Sequence, residues 1–68
     1  MERMAVSSSN LLSVGYEIET MILEIEFNSG LYQYYDVPEY IYQELINSSS
    51  LGHYFNHNIK NNFSFSAI

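Results

Sequence analysis

The sequence predicts an α+β domain: a small antiparallel sheet covered on one face by two short helices, in the order β-β-β-α-α-β. Three observations carry that prediction. Residues Met21 to Phe27 alternate, with Met21, Leu23, Ile25 and Phe27 on one side and Glu24 and Glu26 on the other, which is the period of a half-buried strand. Asn28-Ser29-Gly30 is a turn signal, and Leu31 to Tyr35 returns behind it as a hairpin partner. Beyond Val37-Pro38 the apolar spacing changes from two to three and four, the period of a helix packed on one side.

The elements follow in order along the chain. Leu11 to Tyr16 reads as the first strand, with Val6 in a short extension before the serine turn Ser7-Ser8-Ser9. In the hairpin, a two-residue Ser29-Gly30 turn would put Phe27 opposite Tyr32 and Ile25 opposite Tyr34. A three-residue loop would instead pair Phe27 with Leu31 and Ile25 with Gln33. The first is preferred because it keeps Gln33 out of the core.

Val37 is pushed extended by the proline after it. Pro38 suits the start of a helix, and Glu39 complements the positive end of the helix dipole. Ile41, Tyr42, Leu45 and Ile46 then form one stripe, while Tyr40, Glu44 and Asn47 point away. Ser48 to Ser50 ends this helix and caps a second one over residues 50–59, where Leu51, Tyr54, Phe55 and Ile59 gather on one side and His53 and His57 on the other. Gly52 costs about 1 kcal/mol in a helix, which is accounted for if it lets the backbone approach the sheet closely. Asn61-Asn62 break the helix, and Phe63-Ser64-Phe65-Ser66 alternates as a strand at the sheet edge.

The chain has 68 residues, room for one domain over residues 1–68 with a core from about 6 to 65. Seven tyrosines and four phenylalanines make a packed core feasible at this size. There is no cysteine, so neither a disulfide framework nor a thiolate metal site is available, and a reducing compartment, the cytoplasm, is expected. The N-terminal residues lack the apolar stretch of a signal peptide, and no run reaches the roughly 18 apolar residues of a membrane span. Eight acidic residues oppose only Arg3 and Lys60, a formal net charge of −6. Polyanion binding rests on lysines and arginines that displace condensed counterions, so tight nucleic-acid binding is not expected, and the same repulsion disfavours anionic membranes.

Ser8-Ser9-Asn10, Val14-Gly15-Tyr16, Tyr32-Gln33-Tyr34, Val37-Pro38, Ser50-Leu51-Gly52, Tyr54-Phe55 and Ile59-Lys60, in this order, give the chain a resemblance to the KTSC family. These are short domains at the C-terminus of some lysyl-tRNA synthetases and free-standing proteins of bacteria and phages. The likeness runs from about Val6 to Phe65. It implies a stand-alone interaction module whose tyrosine-x-tyrosine motif has prompted suggestions of RNA binding, with no activity to carry over. The middle position here is Gln33, and the segment after the second helix has no basic residue beyond Lys60, which departs from a polyanion reader.

The candidate residues divide by chemistry. Tyr32 and Tyr34 would stack bases if the sheet face were open, but two helices covering that face make them core. His53 and His57 have the i, i+4 spacing of a helical metal pair, yet no third ligand stands beside them, so no metal or cofactor is expected. A hydrolytic triad from Ser7 to Ser9, His53 and Glu24 has neither a strained nucleophile turn nor an oxyanion loop, so the domain is read as non-catalytic. Glu24, Glu26, Tyr35, Tyr40 and Glu44 are expected outside, mixing rings with carboxylates as a site for a protein partner with a basic surface. The expected function is thus a binding domain that contacts another protein of translation, transcription or defence machinery. The alternatives are RNA binding through the tyrosine-x-tyrosine face and a phage-type inhibitor that mimics nucleic acid.

Overall fold

In the computed structural model, which describes residues 1–68, the chain forms five strands and two helices. They are β1 (Met4–Ala5), β2 (Leu11–Glu17), β3 (Ile22–Phe27), β4 (Gly30–Tyr34), α1 (Glu39–Asn47), α2 (Leu51–Asn58) and β5 (Phe65–Ala67). All strands belong to one antiparallel sheet in the order β1-β2-β3-β4-β5, so the α+β class holds with one more strand than the sequence suggested. That strand is β1, where Met4 pairs with Val14 and Ala5 with Ser13. Val6, expected in the extension, lies just beyond it and donates its N–H to the Leu12 carbonyl at 3.2 Å.

The register of β2 against β3 slips between Leu11 and Ser13, leaving Leu12 as the extra residue of a bulge, 44% exposed. The bulge changes the phase of the strand. Leu11, Val14 and Tyr16 therefore face the helices while Ser13 and Gly15 face away, an arrangement that strict alternation from Leu11 would forbid. Met21 is a correction: it takes φ +57 in the β2–β3 turn and is exposed instead of sharing the face of Leu23, Ile25 and Phe27.

The hairpin differs from both predicted registers. Phe27 pairs with Gly30, Ile25 with Tyr32 and Leu23 with Tyr34, across a turn of Asn28 and Ser29. The slip from the preferred register is two residues, so every side chain keeps its predicted face and Gln33 stays outside the core, opposite Glu24. Gly30 sits at φ +149, where a residue with a Cβ is strained.

α1 begins at Glu39, one residue later than expected, with Pro38 as its extended N-cap, and it buries Ile41 and Leu45 and leaves Tyr40, Glu44 and Asn47 exposed. α2 is capped by Ser50, whose hydroxyl accepts from the His53 N–H at 3.3 Å. Gly52 does not meet the sheet: the nearest atom to a Cβ placed there is the Asn10 Nδ2, at 3.3 Å. The core lies between the sheet and the helices and is built from Leu11, Val14, Leu23, Ile25, Tyr34, Val37, Ile41, Leu45, Phe55 and Ile59. The final strand starts later than predicted, at Phe65, because Asn62 still folds back on the helix end through a bond to Ile59 O at 3.1 Å. It lies at the sheet edge, as expected.

Candidate functional site

The face of the sheet turned away from the helices carries Glu24, Glu26 and Tyr35 of the expected partner residues, and its polar side chains are bonded to one another. Arg3 reaches over β2, its Nε donating to the Ser13 hydroxyl at 2.9 Å and its Nη1 pairing with the Glu24 carboxylate. Gln33 Nε2 donates to the other Glu24 oxygen at 2.9 Å, the Ser13 hydroxyl donates to Glu26 at 3.0 Å, and the Tyr35 hydroxyl donates to Gln33 at 3.3 Å. The N-terminal segment crosses at Gly15, where a Cβ would stand 2.3 Å from the Glu2 carbonyl oxygen.

Glu24 is therefore corrected from exposed to buried, at 5% exposure, and Glu26 and Tyr35 are half-buried. Burial alone would raise the Glu24 carboxyl. Hydrogen bonds from Gln33 and Arg3, with the Arg3 charge, outweigh burial and hold it below the ordinary carboxylate range.

Tyr40 and Glu44 stand on the outer side of α1, with the sheet between them and Glu24, so the five predicted partner residues form two separate groups. Tyr40 is free at 62% exposure. Glu44 accepts from the Tyr54 hydroxyl at 2.6 Å, tying α1 to α2. Burial first, then this bond, pushes Tyr54 up to about 12. His53 and His57 are both exposed with ring centroids 4.1 Å apart, and no group of three potential metal ligands exists. The sheet also separates Glu24 from His53, so Ser7 to Ser9, His53 and Glu24 do not assemble.

What the fold does assemble is a groove on the helix side of the sheet, about 640 Å³ in volume, between α2 and the β3–β4 turn. Its floor is a closed circuit of five aromatic rings. Phe65 meets Tyr32 at 6.1 Å and Tyr34 at 5.4 Å, Tyr34 meets Phe55 at 5.4 Å, Phe55 meets Phe27 at 5.1 Å, and Phe27 meets Tyr32 at 5.6 Å. The contacts are edge-on or tilted, the arrangement favoured by the ring quadrupoles. Phe55 and Tyr34 are buried, while Phe65 is 55% exposed and presents its ring to solvent.

The rim carries Asn10, Asn28, Asn56 and Asn61, with Ser29 and Lys60, and no carboxylate lines the groove. None of these four asparagine side chains is hydrogen-bonded within the chain. The other three asparagines, Asn47, Asn58 and Asn62, each close back onto a main-chain carbonyl. Sequence reasoning singled out Tyr32 and Tyr34 here but missed Lys60, Phe65 and the asparagines. The signal that would have found them is the clustering of Asn56, Asn61 and Lys60 at the end of α2, just before Phe65.

A KTSC domain family model matches residues 7–63. The chain belongs to the KTSC domain family. Among similar KTSC chains, the crystal structure of a KTSC domain protein from Yersinia pestis superposes with a TM-score of 0.97 at 41% identity, covering 98% of this chain and 96% of that one. An uncharacterized protein of Stutzerimonas stutzeri is 51% identical over 57 residues, 82% of this chain and 80% of its own length. A lysine–tRNA ligase of Nostoc punctiforme is 43% identical over 54 residues, which are 78% of this chain and 10% of that ligase.

The KTSC motif residues divide among three environments. Along Tyr32-Gln33-Tyr34, Tyr32 lines the groove, Gln33 joins the polar face through Glu24, and Tyr34 is packed into the core, so the motif is one strand reading alternately onto two faces. Tyr16 stacks on Tyr42 at 5.1 Å and donates its hydroxyl to the Val37 carbonyl at 2.5 Å, holding the loop before α1. Val37 N donates to Met21 O at 2.9 Å, so this loop and the β2–β3 turn share one end of the sheet. Glu17, Glu19, Asp36 and Glu39 lie there, opposite the β3–β4 turn and the groove. Four of the eight acidic residues of this KTSC domain thus gather at one end of the sheet, and none of the eight lines the aromatic groove at the other.

Proposed function

We propose that the chain is a non-catalytic binding domain that grips another protein through the aromatic groove and that its acidic pole draws in a partner with a basic surface. The observation that carries this reading is the absence of any carboxylate from the groove of a chain whose net charge is −6. Exposed rings beside unpaired side-chain amides are what a protein interface uses as an anchor. Carboxylates elsewhere accelerate encounter with a basic partner without taking part in the grip. The likeness to part of a lysine–tRNA ligase supports a setting in translation, with transcription and defence as the other settings in which a basic partner is common. No side-chain constellation supports chemistry on a bound molecule.

RNA binding is the second reading, favoured by Tyr32 and Phe65 presenting rings beside Lys60. A nucleic-acid strand needs several cations along its backbone, and Arg3 is paired with Glu24, so Lys60 alone meets phosphate. Generic single-stranded RNA is expected to bind no tighter than about micromolar at physiological salt.

The test is co-purification from bacterial lysate with the parent chain, Phe65→Asp and Tyr40→Ala. A protein retained by the parent and Tyr40→Ala but lost with Phe65→Asp supports the groove. Retention by Phe65→Asp with loss in Tyr40→Ala moves the site to the outer side of α1. Nuclease-sensitive capture with nanomolar affinity for an oligonucleotide replaces the protein reading with RNA.

A further inference from the structure

Resting on the groove as the binding site, we propose that its occupant is the C-terminal residue of an extended peptide, a large apolar or aromatic side chain on the ring floor with the free carboxylate held by Lys60. Three features of one cavity point to this chemistry. The floor takes an apolar side chain, since Phe65, Tyr32 and Phe27 leave ring surface uncovered. The four rim asparagines offer both N–H donors and carbonyl acceptors that no group of the chain uses, and these match a peptide main chain. Lys60 supplies the one charge. It is the single basic side chain without a carboxylate partner, because Arg3 is spent on Glu24, and no acid in the groove competes for it.

The three requirements converge on one residue only at a chain terminus. There the apolar side chain and the carboxylate hang from the same Cα, and the peptide N–H lies one bond away. An internal acidic residue would need a neighbour of the right size at a fixed spacing to do the same. β5, with Phe65 at its start, is an edge strand whose outer side has no partner strand, so a segment running into the groove has main-chain groups beside it.

The probe is the peptide acetyl-Gly-Ser-Gly-Phe with a free C-terminus, titrated into the full 15N-labelled chain and followed by amide shifts. Its C-terminal amide, free phenylalanine and adenosine monophosphate are run in parallel. The free-acid peptide is expected to bind with a Kd on the order of 100 µM, moving the amides of Tyr32, Asn56, Lys60, Asn61 and Phe65. The amidated peptide should bind about fivefold more weakly, as for loss of a solvent-exposed ion pair. Lys60→Gln, a change at an exposed position, should bring the free acid down to the affinity of the amide and leave the amide unaltered. The proposal is overturned if Lys60→Gln leaves the acid-to-amide ratio intact, if the monophosphate or free phenylalanine binds as tightly as the peptide, or if no peptide moves the groove. In the last case a partner still lost with Phe65→Asp keeps the groove as the site and removes only the terminal-carboxylate occupant.

Discussion

Arg3→Met tests whether the Glu24 network holds the fold together. The substitution keeps most of the side-chain volume and removes the guanidinium, leaving Glu24 at 5% exposure with Gln33 as its remaining side-chain donor. Breaking a fully buried ion pair costs about 3–5 kcal/mol, because a charge is left without its counter-charge. Here the Arg3 side chain retains 29% exposure and Gln33 still donates, so part of the loss is made up by water and the cost is set lower, at about 2 kcal/mol. That is a roughly 30-fold fall in the folding constant, read as a shifted midpoint in urea melts at pH 7. In the Glu24→Gln background no charge is stranded, so the same Arg3→Met change should cost about 1 kcal/mol less.

The pH dependence carries the sign. Glu24 has its folded pKa depressed, so its stabilisation is complete above the ordinary carboxyl value, near 4.3, and is lost as pH falls through the folded pKa. Without Arg3 the upward push of burial is opposed by the Gln33 hydrogen bond and the smaller pull of the N-terminal charge, so Arg3→Met should lose less stability on acidification than the parent. Equal costs of Arg3→Met in the parent and Glu24→Gln backgrounds would refute the reasoning, as would an unchanged acid limb.

Gly15→Ala places a Cβ 2.3 Å from the Glu2 carbonyl and 3.0 Å from Arg3 Cγ, so it should displace the N-terminal segment and cost about 1–3 kcal/mol, with loss of amide protection at Met4 and Ala5 in hydrogen exchange. Phe55→Ala empties a core site that joins Tyr34 and Phe27 and should cost about 3–5 kcal/mol in denaturant melts, whereas Tyr40→Ala should stay within about 0.5 kcal/mol. Tyr54 should ionise near 12 in an ultraviolet titration and earlier in Glu44→Gln; its contribution to stability is whole below the ordinary tyrosine value near 10 and is lost as pH rises toward 12.

The parts of this fold that were legible in the sequence are those set by local period. Leu23, Ile25 and Phe27 alternate because β3 is covered on one side. Ile41 and Leu45 recur because α1 is, and Ser50 caps α2 because its hydroxyl accepts from the otherwise free N–H of His53, three residues on. The register error of two residues was harmless to face assignment, since two is the period of a strand. What was not legible depends on pairings between distant segments. Glu24 alternates like an exposed residue, and only Arg3, 21 residues earlier in the chain, makes it a buried one. The Leu12 bulge is likewise a property of the pair β2–β3 and leaves no mark in a single strand. The groove draws lining residues from the approach to β2, the β3–β4 hairpin, α2 and β5, so no window of the sequence contains it.

Phe55 and Phe65 belong to the same ring circuit but differ in how far the chain itself covers them. Phe55 is buried by the chain itself, and its contacts belong to folding. Phe65 is 55% exposed, so folding recovers only about half of the 1.5–3 kcal/mol that burying such a side chain is worth, and the other half is gained only when something covers the groove. An exposed ring on an edge strand also invites pairing with other chains, a hazard limited here by the three-residue length of β5. In a domain of 68 residues, where net stability amounts to a few kcal/mol, the half that folding recovers is a sizeable share, and the uncovered half is area the fold does not use. On the binding reading proposed above, that uncovered half is what association would gain, and the acid-free rim around it, in a chain of net charge −6, would favour groups that a lysine and amides accept.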